Sequence, residues 1–173
     1  MQSKKCCFIG HRNTRATPEL EKKLNATLKR LIESEGVKVF LFGSKSRFDE
    51  LCLLALTRLK ESYPEIKRVY VRAEYCEITK DYEDYLLQSY DETYMPKRIE
   101  NAGAARYVER NQEMIDNSEF VVVYYDERYS PPPRKGRHGR ITQAKSGTKL
   151  AYEYAMRKNK KTIINLFEEK TDG

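Results

Sequence analysis

The sequence predicts an α/β domain of the Rossmann-like kind, a three-layer sandwich around a mostly parallel sheet of about five strands. Three observations carry this expectation. Short apolar runs bounded by turn residues alternate with stretches of helical periodicity, as successive βαβ units require. The run Phe120-Val121-Val122-Val123-Tyr124-Tyr125 is β-branched or aromatic throughout, which marks a strand covered on both faces. A length of 173 residues with 39% hydrophobic content suits one buried core.

Element by element, the chain opens with the apolar run Cys6 to Ile9, a buried strand that ends at Gly10 in a tight turn. Thr17 as N-cap and Pro18 at the first helical position start a helix. Leu20, Leu24, Leu28, Leu31 and Ile32 line one of its faces, and Gly36 stops it. Val37, Val39, Phe40, Leu41 and Phe42 form a near-continuous apolar strand ending at Gly43-Ser44, and a helix with Leu51, Ala55 and Leu59 runs on to Tyr63-Pro64. A third strand is expected at Val69 to Val71, after which the pattern blurs in a Tyr-rich, acidic stretch from Glu74 to Tyr94. Regularity returns with a helix from about Ala104 to Asn117 and the strand at Phe120. A polar segment with Pro131-Pro132-Pro133 leads to a helix that opens at Ser146-Gly147-Thr148 and carries Leu150, Ala151, Tyr154 and Ala155. A last strand follows at Thr162 to Leu166, and the tail from Glu168 is expected to fray.

Charge narrows the partners. Lys+Arg 33 against Asp+Glu 26 gives a net charge of +7, which favours an anionic ligand, a nucleotide or a nucleic acid, over a cationic one. The apolar runs are strand-sized, and Met1-Gln2-Ser3-Lys4-Lys5 leads into one too short for a signal peptide or a membrane span. The expectation is a soluble, cytoplasmic protein with no membrane partner. Cys6, Cys7, Cys52 and Cys76 make no CxxC pair and no Cys/His cluster of zinc spacing. They read as reduced thiols with no metal site, Cys6 and Cys7 acting as small hydrophobes.

In open parallel sheets, ligands bind beyond the carboxyl ends of the strands, where the strand order reverses. Three loops fall there: Gly10-His11-Arg12-Asn13, the stretch from Gly43-Ser44 to Phe48-Asp49, and the long loop ending in Ser146-Gly147-Thr148. The last presents backbone N–H groups at a helix N-terminus, which suits a phosphate, with Gly147 allowing close approach and Thr148 adding a hydroxyl. An ordinary Ser N-cap is the structural alternative. His11 and Arg12 suit an anion or a sugar, or form a solvated polar pair. Asp49 either complements the dipole of the second helix or meets a ribose hydroxyl. Arg110 and Asn111 lie mid-helix, where Asn is a poor helix former, and this points to use in hydrogen bonding.

Arg128, Arg134, Lys135, Arg137, His138, Arg140 and Lys145 gather positive charge among prolines and glycines in a loop over about 126–145 that is expected to be mobile. It reads as a clamp over a phosphate or as a solvated insertion. Tyr82, Tyr85, Tyr90 and Tyr94 fit a half-buried helix face better than a base-stacking platform, because the acids around them repel a nucleic-acid backbone.

Taken together, Cys7-Phe8-Ile9-Gly10-His11-Arg12, Phe42-Gly43-Ser44 through Phe48-Asp49, Arg110-Asn111 with Met114-Ile115-Asp116, and Ser146-Gly147-Thr148 followed by Tyr154-Ala155 resemble the SLOG superfamily. More narrowly they look like its YpsA-like branch of small standalone bacterial proteins. The resemblance implies a Rossmann-like fold, a pocket for nucleotides or nucleotide derivatives such as ADP-ribose, and a homo-oligomer. It also joins the three loops in one site. The hydrolase subgroup has a proline-glycine-glycine turn, then Gly-Thr and a catalytic glutamate three residues beyond the threonine. Here Gln143-Ala144-Lys145 stand before Ser146-Gly147-Thr148, and the glutamate position is Ala151. Glu153 is two positions further, about 200° around a helix. Ser44 and Lys45 depart from the small residues common in relatives.

The leading expectation is therefore a nucleotide-binding or nucleotide-sensing module. Gly10, Gly43 and Gly147 would admit the ligand, and Arg12, Ser146 and Thr148 would hold its phosphate. The alternative is a hydrolase of an N-glycosidic or phosphate bond, with Glu74 or Asp49 as the available carboxylate. Single-stranded nucleic-acid binding through the basic loop ranks third.

Overall fold

The computed structural model describes residues 2–74, 77–143 and 145–169. The chain runs β1 (Lys4–Gly10), α1 (Pro18–Glu33), β2 (Val37–Phe42), α2 (Arg47–Leu59), β3 (Lys67–Val71), α3 (Lys80–Leu87) and β4 (Glu92–Tyr94). It continues through α4 (Arg106–Asp116), β5 (Phe120–Tyr124), β6 (Arg134–Lys135), β7 (Ile141–Thr142), α5 (Gly147–Met156) and β8 (Thr162–Asn165). Six strands form one parallel sheet in the order β4-β3-β2-β1-β5-β8, and β6 and β7 pair separately as an antiparallel hairpin. This is the Rossmann-like α/β sandwich the alternation predicts, with one more strand than expected.

The period of two along each strand sorts the core into two layers. Cys6 and Phe8, Phe40 and Phe42, and Phe120 and Val122 point to the face covered by α1, α2 and α3. Cys7 and Ile9, Leu41, and Val121 and Val123 point to the other, where Met114 and Ile115 of α4 and Ala151 and Ala155 of α5 pack. The α1 stripe is buried as its spacing requires, each leucine contributing roughly 1.5–3 kcal/mol. Its ends also follow the sequence: Thr17 Oγ1 accepts the Leu20 N–H at 3.1 Å, and Gly36 takes a left-handed φ of +73°.

Between Glu74 and Tyr94, where the pattern blurs, the structure has α3 and the edge strand β4. Three residues are too few for a visible alternation, and β4 is fixed instead by a long-range contact. The Asp91 carboxylate accepts from the Arg68 backbone N–H at 2.8 Å and from its Nε at 3.0 Å, and Lys60 pairs with it at 3.2 Å. Partial burial opposes ionisation there, yet these bonds hold the carboxyl at about 2. Only Tyr82 and Tyr85 share a helix. Tyr90 packs on Phe42 and Tyr70, and Tyr94 belongs to β4. The single helix face expected for all four is corrected accordingly.

Cys6, Cys7 and Cys52 are buried free thiols, and burial pushes Cys7 up to about 12, so these sulfurs pack rather than react. Cys76 lies outside the described residues, as do residues 170–173 of the expected fraying tail. Among the described residues no helix is long and apolar enough to cross a membrane, and no cluster of His, Cys, Asp or Glu suits a metal ion.

Candidate functional site

The sheet order places the switch point between β1 and β5. From β1 the chain moves through β2 and β3 to β4, whereas from β5 it moves the opposite way to β8. Loops leaving the two strands therefore diverge and open a crevice at their carboxyl ends. A pocket of about 860 Å³ lies there. It takes Gly10, His11, Arg12 and Asn13 from the loop after β1, Gly43, Ser44, Lys45 and Ser46 from the loop after β2, and Glu74 from beyond β3. Tyr107, Arg110 and Asn111 come from α4, and Ser146, Gly147 and Thr148 from the start of α5. The segment before α5 adds Tyr129, Pro131, Pro132, Pro133, Arg134 and Lys145. Every ligand-binding residue expected from the sequence lines this pocket except Asp49.

At the α5 end, Ser146 is the N-cap: its Oγ accepts the Lys149 N–H at 3.0 Å, and its carbonyl accepts the Leu150 N–H at 3.1 Å. These bonds leave the amides of Gly147 and Thr148 as the donors of the first turn that face no intrahelical acceptor. Gly147 is exposed, and a Cβ built on it meets no atom within 4 Å. The helix start is thus open to an anion. Glu153 lies off the lining, 4.0 Å from Lys145.

Gly10 and Gly43 line the pocket and also make room for protein beneath it. A Cβ on Gly10 would fall 2.3 Å from the Phe48 ring, and one on Gly43 would fall 2.5 Å from Met114 Sδ and 2.7 Å from Arg110 Nε. The missing side chains make room for protein: Phe48 packs under β1, and Arg110 lies across the end of β2. Arg110 is 4% exposed, its Nε donates to Asn111 Oδ1 at 3.0 Å, and its Nη1 has no hydrogen-bond partner. The mid-helix asparagine orients the arginine.

His11 is also structural at one edge. It is 5% exposed, and its Nε2 accepts the Asp126 N–H at 3.0 Å, so the neutral ring is assigned its proton on Nδ1. Burial lowers its pKa below the ordinary imidazole value. The ring ties the β1 loop to the chain after β5 and packs against Tyr129 at a tilt, with ring centroids 4.4 Å apart. Arg12, next to it, is exposed on the pocket rim.

Asp49 is 2% exposed and sits in the first turn of α2, where its Oδ2 accepts the Ser44 N–H at 3.1 Å and its own N–H is capped by Ser46 Oγ at 3.1 Å. It braces the loop from beneath and is not on the pocket lining. Burial raises its pKa to about 6, against the Ser44 hydrogen bonds and the Arg110 charge that favour the carboxylate. Because the folded value exceeds the unfolded one, the stability this group contributes is present in full below about pH 4 and lost as pH rises through about 6. The Asp49→Asn variant is expected to lack that component. Its stability relative to wild type, measured by urea unfolding, should rise between about pH 4 and about pH 7 by an amount on the order of 3 kcal/mol. Equal pH slopes in the two proteins would show that Asp49 does not titrate in this window.

Tyr107, which is 45% exposed, and Tyr129 carry no expected role from the sequence, yet both border the pocket. Tyr107 stands three residues before Arg110 on α4, and that helical spacing is the signal that places it on the same face. The basic segment expected to be mobile carries the β6–β7 hairpin, closed by the Gly136 N–H bonded to the Arg140 carbonyl at 2.8 Å. Gln143 Nε2 donates to the Pro131 carbonyl at 2.9 Å. Of the hairpin's basic side chains only Arg134 lines the pocket; Lys135, Arg137 and Arg140 are exposed away from it, as is His138.

No protein-family model matches the chain, and a search of curated proteins finds no match. What the pocket holds is therefore decided by its own chemistry.

Proposed function

We propose that this chain binds a nucleotide or a nucleotide derivative such as ADP-ribose, as a sensing module of the SLOG superfamily close to its YpsA-like branch. The observation that carries the proposal is the meeting of motifs far apart in sequence, Gly10-His11-Arg12, Gly43-Ser44, Arg110-Asn111 and Ser146-Gly147-Thr148, around one pocket at the switch point. The Gly147 and Thr148 amides are the donors for a phosphate, with Lys145 and Arg134 beside them and Arg12 across the loop. Tyr107 offers an exposed ring on which a base stacks.

The test is thermal unfolding in the presence of AMP, ADP, ADP-ribose and NAD. At ligand concentrations about 100 times Kd, binding adds about 2.7 kcal/mol and raises Tm by about 5–10 °C. A panel in which no nucleotide moves Tm removes this function.

One observation favours turnover as a second reading. Glu74 is the single carboxylate on the described pocket lining, a place from which a carboxylate positions water for attack on a glycosidic or phosphate bond. Chromatography of the same mixtures decides it. Released base or phosphate that disappears in the Glu74→Gln variant supports hydrolysis, and nucleotides recovered intact leave binding alone.

A further inference from the structure

The pocket's charge goes beyond the presence of a phosphate to the number of phosphates, an inference that rests on the nucleotide proposal above. Five cationic side chains line it, Arg12, Lys45, Arg110, Arg134 and Lys145, against the one carboxylate of Glu74 among the described residues. Of the five, only Lys145 has a carboxylate within ion-pair range there, Glu153 at 4.0 Å. A phosphomonoester brings about two negative charges and leaves roughly half of that surplus unanswered, whereas a second phosphoryl group brings ligand and lining close to balance.

Arg110 shows where the second group goes. It is 4% exposed, it makes no ion pair among the described residues, and its Nη1 is buried without a hydrogen-bond partner. A guanidinium left in this state is costly unless an anion completes it, and its fork geometry matches phosphate oxygens. The wider charge distribution agrees. Residues 128–152 hold seven Lys and Arg and no acid, and without them the chain has 26 basic residues against 26 acidic ones. The whole net charge thus belongs to the stretch that forms the hairpin and opens α5.

We propose that the ligand is a nucleotide carrying at least two linked phosphoryl groups, one held by the Gly147 and Thr148 amides and the next by the Arg110 guanidinium. The experiment is calorimetric titration of the whole chain with AMP, ADP, ADP-ribose, inorganic pyrophosphate and a single-stranded oligonucleotide at one low salt concentration. ADP is expected to bind at least about tenfold more tightly than AMP, and Arg110→Gln is expected to shrink that ratio to less than about threefold. Because the variant removes a buried side chain, a second measurement uses the wild-type protein. The ¹⁵N signals of the Arg110 side chain should move on addition of ADP or pyrophosphate and stay in place with orthophosphate.

AMP and ADP binding within about threefold of each other overturns the two-phosphate inference and leaves the nucleotide proposal standing. An Arg110→Gln protein that folds and keeps the full preference, or an Arg110 signal indifferent to pyrophosphate, overturns the role given to Arg110. Tighter binding of a single-stranded oligonucleotide than of ADP overturns the inference in favour of a nucleic-acid ligand. Absence of binding by AMP, ADP and ADP-ribose alike removes the nucleotide proposal and this inference with it.

Discussion

Gly147→Asp is expected to abolish nucleotide binding, with Kd rising more than about a hundredfold, while the fold keeps its stability or gains slightly. The two effects separate because of where the residue sits. Gly147 is exposed at the first position of α5, and a side chain there meets nothing within 4 Å, so the substitution creates no clash. A carboxylate in the first turn complements the helix dipole by about 0.3–1 kcal/mol. The same carboxylate occupies the place of the phosphate and repels it, and the charge-assisted bonds from the Gly147 and Thr148 amides are lost. A hundredfold change is about 2.7 kcal/mol, the worth of one or two such bonds. Calorimetry and a melting curve on the same sample check both halves. Binding retained at wild-type strength would put the phosphate elsewhere in the pocket.

Gly10→Ala has the opposite signature, a loss of about 3 kcal/mol or more of stability from a single methyl group. The added carbon would lie 2.3 Å from Phe48 Cδ1, 2.4 Å from its Cγ and 2.5 Å from its Cβ. Phe48 cannot swing aside. It is fully buried, with ring centroids of Phe8 at 6.5 Å and Tyr124 at 5.9 Å, and its backbone is the second residue of α2. Relief requires α2 to shift against β1, which disturbs the Ser44 loop braced by Asp49. Urea unfolding measures the loss, and a variant as stable as wild type would mean that Phe48 has room the packing does not show. At Gly43 the nearest atoms are ends of flexible side chains, Met114 Sδ and Arg110 Nε, so the equivalent change there displaces pocket chemistry more than it damages the fold.

What the sequence shows is mostly what local rules govern. Thr17-Pro18 and the leucine stripe specify α1, the β-branched run specifies β5, and Ser146-Gly147-Thr148 specifies a capped helix start facing the switch point. Each depends on a few neighbouring residues and on periodicity. What stays hidden depends on contacts across the fold. β4 exists because Asp91 meets Arg68, 23 positions earlier. Gly10 is glycine because of Phe48 and Gly43 because of Met114 and Arg110, partners that lie far from their own glycine in the chain. His11 and Asp49 look like ligand residues in a loop-by-loop search, since polar groups at strand ends invite that use. Burial, which no local pattern records, makes Asp49 a brace beneath Ser44 and gives His11, which still lines the pocket, a tie to Asp126. Tyr107 is illegible in the sequence for the converse reason: an exposed aromatic on a helix carries no signal of its own, and only the fold puts it and Arg110 on one cavity.

The division of labour around the pocket has an evolutionary consequence. Where the floor is packed tightly from below, as Gly10 is against Phe48, substitutions are filtered by folding before they are tested on a ligand. The hairpin cations Lys135, Arg137 and Arg140 are exposed and belong to neither buried layer. Substitutions among these exposed cations cost the fold little, so the charge around the pocket can be changed without a matching loss of stability.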